Sequence, residues 1–351
     1  MISPRYGMTG IEISPRSVRL AQLRFEGAKA MLHALAEFDR LDENSPLEAE
    51  AARIAGVMRR RGFAGVRLAV CLGPEQVMAT EMELPPLSSG APVRQLAAAE
   101  LGRAYKTDPN ALEVAVWEIP VPARQAGAAT CMAAACSYET SNTIIAAFDQ
   151  AGLDVRRVEP RETALARACL PRLAGEGAIT LVVSLRLRGS RVLGVQKNTI
   201  VLDRALEGGD LHRLYREAAE VSGVESGDVA SVLSELLGHA GVLQLDEATR
   251  AAVRASLDRF GSGLIEEIQT ACAYVGRRFG GREVARMLIT SDGPEAEPIA
   301  DLLGAVTSLD ASACALADIA EVPSTLRPMA VRGGFLAAAG AGFARRKGDM
   351  C

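Results

Sequence analysis

Three short stretches carry the residues that could do chemistry, and that chemistry is the holding of a polyphosphate. The first is Gly10-Ile11-Glu12-Ile13-Ser14-Pro15-Arg16-Ser17-Val18-Arg19-Leu20. A strand–turn–strand hairpin can wrap phosphates with its backbone amides. An acid at the end of its first strand can hold Mg²⁺ through water, and glycine lets the phosphate come close. Glu12 is the candidate acid and metal ligand, and Ser14, Arg16, Ser17 and Arg19 are candidate nucleotide contacts. Ser14 stands where glycine would be expected, and Pro15 has no N–H to donate, so Arg16 would supply charge instead. The other reading of these residues is an ordinary edge hairpin.

The second stretch runs from Ile179 through Ser184, a turn at Arg188-Gly189-Ser190, Val192 to Val195, a turn near Lys197-Asn198, and Ile200 to Leu206. It repeats the device of the first. An acid and a glycine belong near Val183-Ser184-Leu185-Arg186, and neither is there. Gly208 and Gly209 remain as residues that could approach a ligand, with a plain turn as the alternative. The third stretch, Ser291-Asp292-Gly293, follows a strand at Arg286 to Thr290. A glycine-rich turn there would let an adenosine lie against the backbone, which makes Asp292 and Gly293 candidates. No catalytic residue is assigned. His33, His212 and His239 sit on separate elements without metal-ligand spacing, and no G-x-S-x-G, H-E-x-x-H or Walker A pattern occurs.

These candidates need elements to position them. Each meander reads as three strands, the first continuing from Met31 to Phe38. Ser45-Pro46-Leu47-Glu48 reads as a helix start, with Ser45 as N-cap and Glu48 closing a capping box, and the helix stops at Gly62. Val66 to Leu72 reads as a buried strand and Gln76 to Leu84 as an amphipathic one. Val93 to Tyr105 is helical, Leu112 to Ile119 and Thr130 to Ser137 are strands, and together they form a small α+β module of about 87–137. Thr140 to Gly152 is a helix, Val155 to Val158 a strand, and another helix starts at Pro160-Arg161-Glu162. After the second meander, helices are expected at Leu211 to Ser222, Asp228 to Leu237, Asp246 to Phe279 and Glu297 to Leu303. A last one, Ala330 to Phe343, is rich in Gly and Ala and so suited to close packing.

Length and composition bound the rest. At 351 residues two lobes are expected. The net charge of −4 gives no global basic field for nucleic acid. The basic runs Arg59-Arg60-Arg61 and Arg345-Arg346-Lys347 fit helix ends, where cations complement the last carbonyls. Seven scattered cysteines without a C-x-x-C read as free thiols in a reducing compartment. The first residues carry no apolar signal core, and Phe335 to Phe343 is too short for a membrane span. A soluble cytoplasmic protein is expected, with any membrane role exerted through a partner.

The order of meander, helix, strands, inserted module, second meander, long helix and strand–turn–helix resembles the actin-like ATPase superfamily. The closest likeness within it is the PilM family of type IV pilus assembly proteins, relatives of the cell-division protein FtsA. PilM-like chains carry G-I-D-I-G…S-V-K, and Gly10-Ile11-Glu12-Ile13-Ser14…Ser17-Val18-Arg19 is similar. Glu81-Met82-Glu83-Leu84-Pro85 matches E-x-x-L-P. Ala151-Gly152-Leu153, Ala164-Leu165 and Glu267-Ile268 match further motifs, and the likeness covers about residues 8–340. It implies a two-lobed α/β fold with duplicated ribonuclease-H-like halves: a first lobe at 8–172 holding the inserted module, a second at 178–343, and a basic tail at 344–351.

The resemblance also implies ATP and Mg²⁺ as cofactors. The departures at Glu12, at Ser14 and in the second hairpin turn that implication toward a scaffold with weak or lost nucleotide binding, since the missing second acid should hurt hydrolysis more than binding. The implied partner is a PilN-like bitopic membrane protein whose N-terminal cytoplasmic peptide lies in a groove walled by Gln76 to Leu84 and by Pro92 to Ser137. A pilus motor ATPase is a further implied partner, and the implied location is cytoplasmic, peripheral to the inner membrane. An active Mg-dependent ATPase and an FtsA-like membrane-associated filament protein stay open as alternatives.

Overall fold

The computed structural model describes residues 5–343 except 28, 43–44, 122–126, 176, 226–228, 230–231, 234–245, 281–282 and 331–332. Most of the helix expected at Asp228 to Leu237, His239 and the tail at 344–351 therefore lie outside the described residues.

The fold is actin-like, and its duplication is visible in the sheets. In the first lobe, β1 (Arg5–Ile13), β2 (Ser17–Glu26) and β3 (Lys29–Asp39) form an antiparallel meander. Strands β4 (Arg67–Leu72) and β8 (Asp154–Pro160) add in parallel beside β1, giving the order β3-β2-β1-β4-β8. In the second lobe, β9 (Ile179–Leu185), β10 (Arg191–Gln196) and β11 (Thr199–Ala205) form the matching meander. Parallel strands β12 (Val284–Ser291) and β13 (Asp310–Ala313) complete the order β11-β10-β9-β12-β13. Strand β13 has no counterpart in the sequence reading. Its four residues, Asp-Ala-Ser-Ala, carry neither alternation nor β-branched side chains.

A three-stranded antiparallel sheet, β5 (Met78–Leu84), β7 (Ala129–Ser137) and β6 (Leu112–Glu118), carries the module, with helix α2 (Val93–Tyr105) against it. Strand β5 lies ahead of residue 87, where the module was expected to begin, and pairs along its whole length with β7. Hydrogen bonds tie the module to the second lobe, among them one from Arg278 to the Thr130 hydroxyl on β7 at 3.3 Å. Trp117 donates its indole N–H to the Ile200 carbonyl at 2.8 Å, and Glu81 receives Tyr274 and Arg278.

Helix α1 (Leu47–Arg61) ends at Gly62 in the left-handed region, as expected. Its start differs from expectation. Pro46 occupies the cap position without a side-chain bond, and the Ser45 amide is used in a turn to the Asp42 carbonyl. Glu50, rather than Glu48, reaches back, to the Leu41 amide at 3.1 Å. Helices α1 and α3 (Tyr138–Gln150) cover one face of the first sheet through Ile54, Met58, Ile144 and Phe148. On the other face lies α4 (Arg161–Cys169). The second lobe carries α5 (Leu211–Ser222), the long α6 (Glu247–Arg278) and α7 (Ala296–Thr307).

The chain then returns to the first lobe. Helix α8 (Leu336–Gly342) is buried along its whole length between β1 and α4. Small residues make this approach possible. A Cβ on Gly10 would lie 1.7 Å from the Ala338 carbonyl oxygen, and one on Gly340 would lie 1.9 Å from the Ala164 carbonyl oxygen. The lobe boundary expected at 343 follows chain order, whereas in space α8 belongs to the first sheet.

The glycine of the first motif thus has a packing role. Gly10→Ala should lower stability by about 1–3 kcal/mol, as overpacking of a close backbone contact does. Gly263→Ala, on an open stretch of α6 with nothing within 4 Å of the added carbon, should leave stability unchanged or raise it by up to about 1 kcal/mol. Urea unfolding of the two variants checks the contrast.

Candidate functional site

Two hairpins face each other across the lobe junction, β1–β2 from the first lobe and β9–β10 from the second. In the first, Ile13 pairs with Val18 and Glu12 stands opposite Arg19. The turn between them is closed on itself. The Ser14 amide donates to the Ser17 carbonyl at 2.9 Å, and the Ser14 hydroxyl accepts the Ser17 amide at 3.0 Å. An amide that a phosphate would need is therefore already used. Arg16, at the tip, is exposed.

Glu12 is 2% exposed. Its Oε1 accepts from Arg161 Nε at 2.6 Å and from Arg186 Nη2 at 3.1 Å. Arg161 is the first residue of α4, and its Nη1 continues to the Ser184 hydroxyl on β9 at 2.9 Å. Ser184 lies in the run where the sequence lacks an acid, and Arg186 follows two residues later. A second set of charges joins the lobes beside the first. Arg19 donates from Nε to Glu37 on β3 and from Nη1 to Asp292 in the loop after β12, both at 2.7 Å. Of the nine expected contacts, the structure brings Glu12, Arg19 and Asp292 into one network.

Electrostatics follow the geometry. Burial opposes the charge on Asp292, yet Arg19, Arg186 and Arg161 together hold its carboxyl below the usual carboxylate range. Burial likewise opposes the charges of Arg19 and Arg161, and Asp292, Glu12, Glu37 and Glu162 more than offset it. Asp292, Arg19 and Arg161 thus keep their charges through the opposite charges around them, as buried charges must.

The two remaining glycine sites are also filled by the chain itself. The Gly208 and Glu207 amides donate to Glu267 on α6 at 2.7 and 3.0 Å. The Gly209 carbonyl accepts from the Ser190 hydroxyl at 2.7 Å, and that hydroxyl in turn takes the Arg186 amide at 2.8 Å. Above Gly293, where an adenosine was expected, a Cβ would lie 2.4 Å from the Tyr215 hydroxyl. Tyr215 donates to the buried Glu295, whose other oxygen accepts from Ser291, both at 2.7 Å. Burial raises the Glu295 carboxyl and the Tyr215 hydroxyl above their ordinary values. A cavity of about 540 Å³ opens beside Gly208, lined by Arg204, Glu207, Arg213 and Glu267.

The donor set does not fit a hydrated Mg²⁺ ion. Glu12 Oε2 makes no hydrogen bond within the protein, but a divalent cation there would sit beside two guanidinium groups already held by the same carboxylate. Among the described residues no group of three or more His, Cys, Asp or Glu could hold a metal ion. Among the described residues no helix is long and apolar enough to cross a membrane.

Sequence reading missed Arg161, Arg186, Glu37, Tyr215 and Glu295 as site residues. Arg161 carried a signal. A cation in the first turn of a helix opposes the dipole, so a buried arginine there needs a carboxylate close by.

No protein-family model matches this chain, and no curated relative matches it. Among solved structures, the chain is similar to a "PilM-PilN type IV pilus biogenesis complex", with a TM-score of 0.73 and 16% identity over 96% of this chain and 97% of that one. It is also similar to the ethanolamine utilization protein EutJ from Carboxydothermus hydrogenoformans, with a TM-score of 0.51 and 11% identity over 97% of this chain and 90% of that one. At such identities the likeness establishes the fold.

The depressed Asp292 carboxyl sets a pH dependence. Its contribution is fully present above the unfolded-state value of about 3.9 and is lost as pH falls through the lower native value. Asp292→Asn should therefore be less stable than the native chain by about 1–3 kcal/mol near neutrality. The difference should shrink progressively below about pH 4. Thermal unfolding of both proteins between about pH 3 and 7 checks the sign.

Proposed function

We propose that this chain is an actin-like scaffold of a type IV pilus or related secretion platform, which captures a short cytoplasmic peptide of a PilN-like bitopic membrane partner. On this reading it is cytoplasmic and reaches the inner membrane only through partners. Nucleotide binding is weak or lost, and a pilus motor ATPase is a further partner on the cytoplasmic side. The observation that carries the reading is similarity over nearly the whole chain to a PilM fold solved together with PilN, joined to a cleft where Glu12, Ser17, Arg19, Gly208 and Asp292 already bond to the chain's own groups.

The module offers a surface suited to such a peptide. Strand β5 is an outer strand of its sheet, and most of its residues are only partly buried. The Thr130 carbonyl on β7 accepts from Ile119, on the β6 side. Alternation along β7 therefore directs Cys131, Ala133 and Ala135 toward β5, where they pair with Met82, Thr80 and Met78. Ala79, Glu81 and Glu83 then turn their backbone groups away from the sheet. Consistent with this, the Ala79 carbonyl accepts from the Tyr105 hydroxyl at 3.0 Å. An outer edge of this kind is a template for an extended segment, with main-chain bonds giving affinity and side-chain contacts giving selectivity.

The test is fluorescence anisotropy with labelled N-terminal tails of bitopic membrane proteins encoded beside this chain. One tail should bind saturably, and it should do so without nucleotide. Ala79→Pro, which removes one outward amide while sparing the β7 pairing, should weaken binding about tenfold, the worth of one hydrogen bond. Absence of binding by every neighbouring tail would remove the adaptor reading.

A further inference from the structure

The hairpins that face one another in this fold are joined by arginines, and each arginine bond can be assigned to a lobe. Glu12 belongs to the first hairpin and Arg186 follows the first strand of the second, so their contact crosses the junction. Arg161, from α4 of the first lobe, holds Glu12 and the Ser184 hydroxyl of β9 together. Arg19 of β2 holds Asp292, which follows β12. Three separate polar links thus span the lobes, with Glu12 almost fully buried and the Arg19, Arg161 and Arg186 side chains 3–8% exposed.

The charges are arranged as a cation–anion sandwich. A carboxylate from one hairpin meets guanidinium groups, and a guanidinium from the same sheet meets a carboxylate of the opposite lobe. A metal-bound polyphosphate lying between two hairpins would supply the same alternation from outside, with its oxygens on the amides and its metal on the acid. Here the first-hairpin amide of Ser17 is used by Ser14, the Gly208 amide by Glu267, and the acid by two arginines. The positions that a ligand would bridge are bridged by the chain.

We infer that Arg161, Arg186 and Arg19 hold the two lobes closed in place of a metal–nucleotide pair, so that the groove available to a partner is formed without any ligand in the cleft. This rests on the actin-like reading of the two hairpins. It adds to the adaptor proposal that capture is independent of nucleotide because the closed state is built in. The isolated contact energies matter less than their placement. Removing one cross-lobe partner leaves the remaining pair, Glu12–Arg161 or Arg19–Glu37, within the first lobe, so that link across the junction is lost and a buried charge is less fully compensated.

The test is backbone hydrogen exchange by mass spectrometry on the full, nucleotide-free protein. Peptides spanning 11–20 and 183–192 should be protected, and to the same degree with and without Mg-ATP. Arg186→Met and Asp292→Asn should each speed exchange in both peptides by tenfold or more, while peptides of β7 stay unchanged. Hairpins that exchange freely until Mg-ATP is added would overturn the inference, and this arm decides even if a variant fails to fold. A folded Arg186→Met protein with unchanged exchange in both peptides would overturn it as well. The readout needs no partner peptide. Loss of the adaptor reading would show as absent peptide binding with the hairpins still protected, whereas loss of the lock would show in the exchange alone.

Discussion

The rest of this structure depends on a buried carboxylate, Glu12, shared by two guanidinium groups from opposite sides of a lobe junction. A lone carboxylate buried in that position would have nothing to replace its lost hydration. Two arginines supply that replacement. Arg161 is anchored in turn by the Ser184 hydroxyl, and both arginines face the charge of Asp292. The result is a small lattice in which each charge is tolerable only because the others are present. Such a lattice adds little to stability over well-packed apolar residues, but it specifies one relative arrangement of the lobes.

Packing on the same face of the first sheet serves the same end. Helix α8 lies so close to β1 and α4 that Gly10 and Gly340 have no room for a side chain. Strand β1 is thereby held against α8 at Gly10, and Glu12, two residues on and on the same face, projects into the junction. Helix α4 is held by the same contact, and its first residue is Arg161. The two partners of the central ion pair are therefore positioned by one buried helix. The module is secured independently, through Trp117 and Glu81 to the second lobe.

Much of this architecture was legible in the residues. Both meanders, α2 and α5 fell where hydrophobic period and turn residues indicated, because each element is long enough for its pattern to dominate. Strand β13 escaped because parallel pairing at a sheet edge supplied what its four small and polar residues did not. At the start of α1, Ser45 and Glu48 carried a capping pattern, but the preceding turn used the Ser45 amide first. The site was half legible. Glu12, Arg19 and Asp292 were singled out as ligand contacts, and it is their pairing with one another's neighbours that a linear reading could not supply. Arg161 and Arg186 lie far from Glu12 in sequence, and only the duplicated topology brings them together.

The central claim is that the cleft's charges are paired with one another, although Glu12 Oε2 and Arg186 Nε keep no hydrogen bond, and that they have little left to offer a nucleotide. Thermal unfolding with and without millimolar Mg-ATP tests it most directly, because a ligand at one hundred times its dissociation constant stabilises a fold by about 2.7 kcal/mol. The account predicts superimposable transitions for the native protein. A clear upward shift with Mg-ATP, abolished in Glu12→Ala, would show that Glu12 still serves a metal and would contradict it.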